Sequence, residues 1–136
     1  LTLMLDIVKG FIAIKITILL NSDLVGLSMI FVVIGHIFPV WLKFKGGKGV
    51  ATYVGILIIL NYFLGIVFGI VWIVTYLISK YSSLGSILGS LSVPIFIFFY
   101  SNDNIMFYFI MFILIFYTHR ENVKRLINKE ETKTKI

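Results

Sequence analysis

The sequence contains no cysteine, so disulfide bonds, thiolate catalysis, cysteine-ligated zinc and iron–sulfur clusters are excluded. Charged residues are scarce as well: they make up 13% of the chain, against about a quarter in ordinary soluble domains. Hydrophobic residues make up 60%, and the mean hydropathy is +1.06. Too little polar surface remains to cover a globule of 136 residues. We therefore expect an all-α polytopic membrane protein whose apolar surface faces lipid.

Acidic residues are outnumbered two to one, with Asp+Glu 6 against Lys+Arg 12 and a net charge of +6. In a membrane protein this excess indicates inside-facing loops, contact with anionic headgroups or a phosphorylated substrate. The cations are scattered between apolar stretches, so we expect no nucleic-acid partner. With only two histidines and no cysteine, we expect neither a metal site nor a cofactor. The chain starts at Leu1, directly in an apolar run, and we expect it to be a fragment of a longer protein.

Apolar stretches separated by short polar breaks predict six transmembrane helices, at residues 3–20, 24–42, 50–60, 62–79, 84–100 and 105–117. The breaks at 21–23 and 101–104 carry no Lys or Arg. Lys or Arg residues occur instead in the loop at 43–48, at Lys80 and in the tail at 119–136. By the positive-inside rule, we expect these three segments to be cytoplasmic.

The stretch at residues 50–60 is short for a span. Its 11 residues would reach about 16 Å of a hydrocarbon core roughly 30 Å thick. It could be a re-entrant half-helix or one arm of a full hairpin that turns at Asn61. We expect the hairpin, because a single crossing between residues 50 and 79 would put Lys80 on the opposite side of the membrane from the loop at 43–48.

The densest polar cluster is a glycine- and lysine-rich loop at residues 45–49, with the sequence KGGKG. Glycines let backbone N–H groups approach an anion, lysines neutralise it, and a helix starting near Val50 would direct its N-terminal donors to the same place. The pattern predicts a phosphate-binding loop. It is not a Walker A loop, whose spacing requires glycine at Leu42 and Ser or Thr at Gly49. An ordinary basic loop would explain the lysines but not the three glycines.

Both histidines are candidate functional residues. His36 lies about two turns before the glycine-rich loop, and either a helix-packing role or a functional role is open. His119 and Asn122 are spaced i, i+3 and therefore share one helical face. Taken alone, a histidine in a basic tail is also typical of an interfacial anchor. Ser83, in the short loop at 80–86, is expected on the same side of the membrane and could contact the same anion.

Three further patterns concern helix packing. Asp6 and Lys9 are spaced i, i+3, which favours a structural ion pair near one end of the first helix. Lys15 could snorkel to the membrane surface or line a polar interior. Glycines spaced by four residues let helix backbones approach closely, and they occur at Gly65, Gly69, Gly85 and Gly89.

Residues 35–52, with the sequence GHIFPVWLKFKGGKGVAT, resemble the second signature of the bacterial acyl-phosphate glycerol-3-phosphate acyltransferases, the PlsY family. LDIVKG at 5–10 resembles the segment that follows the family's first signature. KYSSLGS at 80–86 resembles the family's Arg-Tyr-x-Ser loop, and HRENVKRL at 119–126 resembles its third signature. The resemblance implies seven helices in the full-length protein, with the signatures on the cytoplasmic side. Residues 1–136 would form a single acyltransferase domain lacking its first helix and first signature, with 119–136 as a basic cytoplasmic tail.

The resemblance also implies a reaction, in which an acyl group passes from acyl phosphate to the 1-hydroxyl of glycerol 3-phosphate and gives lysophosphatidic acid and inorganic phosphate. The implied partners are these two substrates and membrane lipid, the implied location is the bacterial inner membrane, and a monomer is expected. The implied catalytic residues are His119, Asn122 and Lys48. The implied phosphate-binding residues are His36, Lys45, Gly46, Gly47, Gly49 and Ser83.

The sequence departs from the family pattern at three places. The first signature, with its serine and arginine, has no counterpart, so we expect these 136 residues to be impaired and the full-length protein to be active. Lys80 replaces an arginine and keeps its charge without its bidentate geometry. Lys129 stands where glycine is usual. Glu131 matches the family's glutamate and is expected to be structural.

Two other classes of function stay open from the residues. A small membrane transporter for phosphate esters or anions would also place a glycine-rich break beside cations. A purely structural membrane subunit would tolerate substitution in the KGGKG loop.

Overall fold

The computed structural model describes residues 1–100 and 104–134. Seven α-helices account for most of these residues. Their bounds are α1 Thr2–Leu20, α2 Val25–Ile37, α3 Val50–Leu60, α4 Tyr62–Ser79, α5 Ser82–Tyr100, α6 Ile105–Thr118 and α7 Arg120–Ile127. Short 3₁₀ turns occur at Ser22–Leu24 and Val40–Leu42. The all-α expectation is confirmed, while most of the predicted break at 101–104 lies outside the described residues.

Three segments of the described chain are long and apolar enough to cross a membrane: Ser22–Leu42, Tyr62–Ser79 and Ser82–Tyr100. α3 and α6 are apolar but shorter. α1 has 19 residues and contains Asp6, Lys9 and Lys15. The count of six spans therefore stays a prediction.

The predicted helix at 24–42 is divided in two. α2 ends at Ile37, and Pro39 precedes the turn at Val40–Leu42. Proline offers no N–H to continue a helix and disfavours helical geometry in the residue before it. Phe38 accordingly has φ −122° and ψ 56°. The predicted break at Asn61 is confirmed: this residue is extended, and its side chain accepts the N–H of Phe63 at 3.0 Å.

The chain forms two compact units, Leu1–Gly65 and Ile66–Ile136. In the first, α1 packs closely on α3 through one glycine from each helix. A Cβ on Gly10 would clash with the backbone carbonyl of Thr52, and a Cβ on Gly55 would clash with that of Ile7. Such contacts let helix backbones approach within membranes. Neither glycine belongs to the pairs that the sequence pattern selected.

In the second unit, two of the four predicted packing glycines lie against aromatic side chains of α4. A Cβ on Gly85 would lie 3.2 Å from the Trp72 ring, and one on Gly89 would lie 3.2 Å from the ring of Phe68. The Trp72 indole also donates to Ser86 Oγ at 3.2 Å. Gly69 differs, because a Cβ there would meet nothing within 4 Å.

Candidate active site

The glycine-rich loop in the first unit folds back onto the end of α2. The Gly46 N–H donates to the Ile37 carbonyl at 3.0 Å, and the Gly47 N–H donates to the His36 carbonyl at 3.2 Å. A Cβ on Gly46 would clash with the His36 carbonyl, and a Cβ on Gly47 would clash with the His36 imidazole. Gly49 has φ +85°, a conformation that favours glycine. Each glycine is therefore required by a separate contact or dihedral angle.

The loop leads into the N-terminus of α3. Gly49 is the N-cap and supplies no side-chain acceptor, so the first N–H groups of the helix lack an intrahelical partner. These groups carry partial positive charge, and Lys48 precedes them by two residues. The predicted helix start at Val50 is confirmed. This arrangement suits an anion.

A cavity of about 760 Å³ opens beside the loop and lies within the first unit. Its polar lining consists of Asp6, Lys9, His36, Gly46, Gly47, Lys48 and Gly49, with Thr2 at the start of α1. Its apolar lining includes Leu3, Ala13, Phe31, Val32, Trp41 and Leu42. A molecule with a phosphate head and an apolar chain would match both parts of this lining.

Lys9 links α1 to α2 at the polar part of the cavity. Its Nζ lies 2.8 Å from Asp6 Oδ1 and 2.8 Å from His36 Nδ1. The Asp6 carboxylate lies 3.4 Å from the same imidazole nitrogen. The predicted Asp6–Lys9 ion pair is confirmed, but it also contacts His36, which helical spacing within α1 could not reveal.

A second polar cluster lies within the second unit and centres on Glu131. Its Oε1 accepts hydrogen bonds from Ser83 Oγ at 2.8 Å and Asn122 Nδ2 at 2.6 Å, and its Oε2 accepts one from Arg125 Nε at 2.7 Å. Ser83 and Asn122 are buried. Burial raises the pKa of the Glu131 carboxyl, but the hydrogen bonds from Asn122, Ser83 and Arg125 outweigh this and hold the pKa below its usual range.

The end of α7 brings Glu131 into this cluster. The Glu130 N–H donates to the Arg125 carbonyl and the Lys129 N–H to the Leu126 carbonyl, the pattern of a Schellman C-cap. Lys129 occupies the left-handed position of this cap with φ +61°. Glycine adopts this φ at little cost, which explains physically why glycine would suit position 129.

His119 is buried at the break between α6 and α7, with 2% of its surface exposed. Its Nδ1 lies 2.8 Å from the Ile115 carbonyl oxygen. A carbonyl oxygen only accepts, so Nδ1 carries the proton and the neutral ring has its lone pair on Nε2. This tautomer suits a proton acceptor at Nε2.

The structure groups the predicted site residues by unit. His36, Gly46, Gly47, Lys48 and Gly49 line one cavity in the first unit, and Lys45 lies on the same loop outside the lining. Ser83 and Asn122 meet at Glu131 in the second unit, and His119 lies one helical turn before Asn122. Sequence reasoning missed the contact of Lys9 with His36.

Comparison with known proteins shows the family of this chain. The glycerol-3-phosphate acyltransferase family profile matches residues 1–129. A glycerol-3-phosphate acyltransferase of Pelagibacter ubique is 59% identical, and the match covers 99% of this chain and 71% of that protein. A glycerol-3-phosphate acyltransferase of Ehrlichia canis is 40% identical, and the match covers 97% of this chain and 71% of that protein.

Solved structures show the same fold. The crystal structure of PlsY, an integral membrane glycerol 3-phosphate acyltransferase, in its glycerol 3-phosphate form, matches with a TM-score of 0.91 and 33% identity, over 98% of this chain and 69% of that one. Its lysophosphatidic acid form matches equally well. The chain is thus an integral membrane protein of the glycerol-3-phosphate acyltransferase family.

Proposed function

We propose that this protein transfers an acyl group from acyl phosphate to the 1-hydroxyl of glycerol 3-phosphate, releasing inorganic phosphate and forming lysophosphatidic acid. The observation that carries the proposal is the cavity of about 760 Å³, because its lining combines a glycine- and lysine-rich loop with an apolar wall. Both substrates carry phosphate, and one also carries an acyl chain. Family membership supports acyltransferase activity. The two similar solved structures are the glycerol 3-phosphate form and the lysophosphatidic acid form of PlsY.

In this mechanism the chain binds and orients charged groups. Lys48 and the first N–H groups of α3 would hold a phosphate. Gly46, Gly47 and Gly49 would keep the backbone accessible to it, and Lys45 would add positive charge nearby. The hydroxyl oxygen attacks the acyl carbonyl carbon, the carbon–oxygen bond to phosphate breaks, and phosphate leaves with the bonding electrons. Phosphate is a good leaving group, so positioning and neutralisation supply most of the catalysis.

The attacking hydroxyl must lose its proton. His119 is proposed as the acceptor because its Nδ1 donates to the Ile115 carbonyl, which leaves the lone pair on Nε2. A substrate phosphate oxygen is the alternative acceptor. We propose that Asn122 and Ser83 contact substrate and that their hydrogen bonds to Glu131 hold both side chains in place.

We further propose that the protein acts as a monomer in the bacterial inner membrane, with six spans in these residues and the signature loops and tail at 119–136 on the cytoplasmic side. The positions of Lys43, Lys45, Lys48 and Lys80 support this orientation. The whole chain would be one acyltransferase domain. Neither cofactor nor metal is required for the proposed steps.

The test is phosphate release from palmitoyl phosphate by the purified full-length protein in lipid, with and without glycerol 3-phosphate. We expect release that depends on glycerol 3-phosphate and forms lysophosphatidic acid without added CoA or metal.

Lys48→Met should raise KM for a phosphorylated substrate, whereas Lys15→Met, on the exposed face of α1, should not. Turnover with acyl-CoA alone would refute the proposed donor. Absence of turnover with either donor, in a folded protein, would favour the transporter.

A further inference from the structure

We propose that Lys9 is a positioning residue that acts through His36. Its ammonium selects the His36 tautomer with the proton on Nε2, so that His36 donates a hydrogen bond to phosphate in the cavity and does not accept the substrate's proton. The tautomer follows from this structure alone, whereas its effect on turnover rests on the proposed function.

The assignment follows from the contact between the two side chains. Lys9 Nζ lies 2.8 Å from His36 Nδ1, and an ammonium group can only donate. Nδ1 must therefore be the acceptor, and the proton of the neutral imidazole lies on Nε2. Asp6 Oδ1 lies 2.8 Å from the same Nζ and forms an ion pair with Lys9. Since the ammonium has three donors, it can serve Asp6 and His36 together.

The competing arrangement would have Nδ1 donate to Asp6. That distance is 3.4 Å, longer than the usual range for a hydrogen bond between nitrogen and oxygen. A proton on Nδ1 would also point toward the Lys9 ammonium at 2.8 Å, where like charges or two donors would meet. The geometry favours Lys9 as the partner of Nδ1.

The Nε2 edge of His36 faces the glycine-rich loop. Gly47 faces this edge closely enough that a Cβ there would clash with Nε2. His36, Gly47 and Lys48 all line the same cavity. In the proposed site, the Nε2–H group would add a donor to those of Lys48 and the N-terminus of α3. His119 has the opposite tautomer, with its proton on Nδ1, so the structure assigns the two histidines different roles.

The first experiment reads the tautomers by ¹⁵N NMR of the protein labelled at histidine, with signals assigned from His36→Gln and His119→Gln variants. In the wild type, we expect His36 to be protonated on Nε2 alone and His119 on Nδ1 alone. Lys9→Met should shift His36 toward a tautomer mixture, and Lys9→Arg should restore the wild-type pattern. Unchanged His119 signals would show that each variant is folded. A wild-type His36 proton on Nδ1 would overturn the proposal, whether or not the protein is an acyltransferase.

The second experiment measures kcat/KM in a double-mutant cycle. Lys9→Met should lower kcat/KM by about 10- to 100-fold, as expected for one charge-assisted hydrogen bond, and Lys9→Arg should recover most of it. His36→Gln removes the ring that Lys9 orients, so in that background Lys9→Met should lower kcat/KM little further. Lys15→Met is the matched control in α1. An equal cost of Lys9→Met in both backgrounds would refute the positioning role.

Discussion

Gly47→Ala introduces a single methyl group where the loop meets His36. The added Cβ would lie 2.9 Å from imidazole Cε1 and closer still to Nε2. Carbon atoms are normally separated by about 3.5 Å or more, so the ring or the loop must move by at least about 0.6 Å. The Lys9–His36 hydrogen bond, at 2.8 Å, can lengthen by only about 0.4 Å before it leaves the usual range.

We therefore expect Gly47→Ala to disturb the Lys9–His36 contact as well as the loop. Overpacking of this kind costs about 1–3 kcal/mol, and displacement of a positioned group by about 1 Å can cost 100-fold in rate. The expected loss in kcat/KM is about 10- to 100-fold. It would be measured as phosphate release dependent on glycerol 3-phosphate, alongside thermal unfolding in the same detergent.

Gly69→Ala is the matched control, because a Cβ at this helical position in α4 meets nothing within 4 Å. It should leave kcat/KM unchanged and stabilise the helix by up to about 1 kcal/mol. Wild-type activity in Gly47→Ala would refute the steric reasoning. Equal losses in both variants would show that the effect does not arise from the contact with His36.

Three further predictions concern the packing of α1 and the tail. Gly10→Val should destabilise the protein by at least about 1–3 kcal/mol in thermal unfolding, because its side chain would displace the Thr52 carbonyl, and near-wild-type stability would contradict the α1–α3 contact. Lys129→Gly should stabilise the tail by about 0.5–1 kcal/mol, because glycine adopts the φ of +61° in the α7 cap without strain. Faster proteolysis of the tail in this variant would contradict the prediction. The lowered pKa of Glu131 means that its stabilising contribution is complete above the ordinary value of 4.5 and is lost as the pH falls through its lowered value in the folded protein. Acid titration of tail proteolysis should show this loss in the wild type and not in Glu131→Gln, and identical acid profiles would exclude Glu131 as the titrating group.

Helix packing shows where sequence patterns were sufficient and where they were not. The spacing of Gly85 and Gly89 correctly indicated close contacts, whereas Gly69, in an equivalent pattern, faces open space. Gly10 and Gly55, which contact the opposite backbone, are separated by 45 positions and form no pattern along the chain. Only the crossing of α1 and α3 determines which glycine meets a carbonyl.

The sequence by itself determined the membrane class and the helix bounds at residues 50–60 and 62–79, because these depend on local composition and backbone geometry. It also indicated a structural role for Glu131 through family resemblance. Only the tertiary structure showed that Lys9 contacts His36 across 27 positions and that Glu131 joins Ser83 across 48. Such contacts depend on how helices distant in sequence pack and on the left-handed turn at Lys129, neither of which local periodicity encodes.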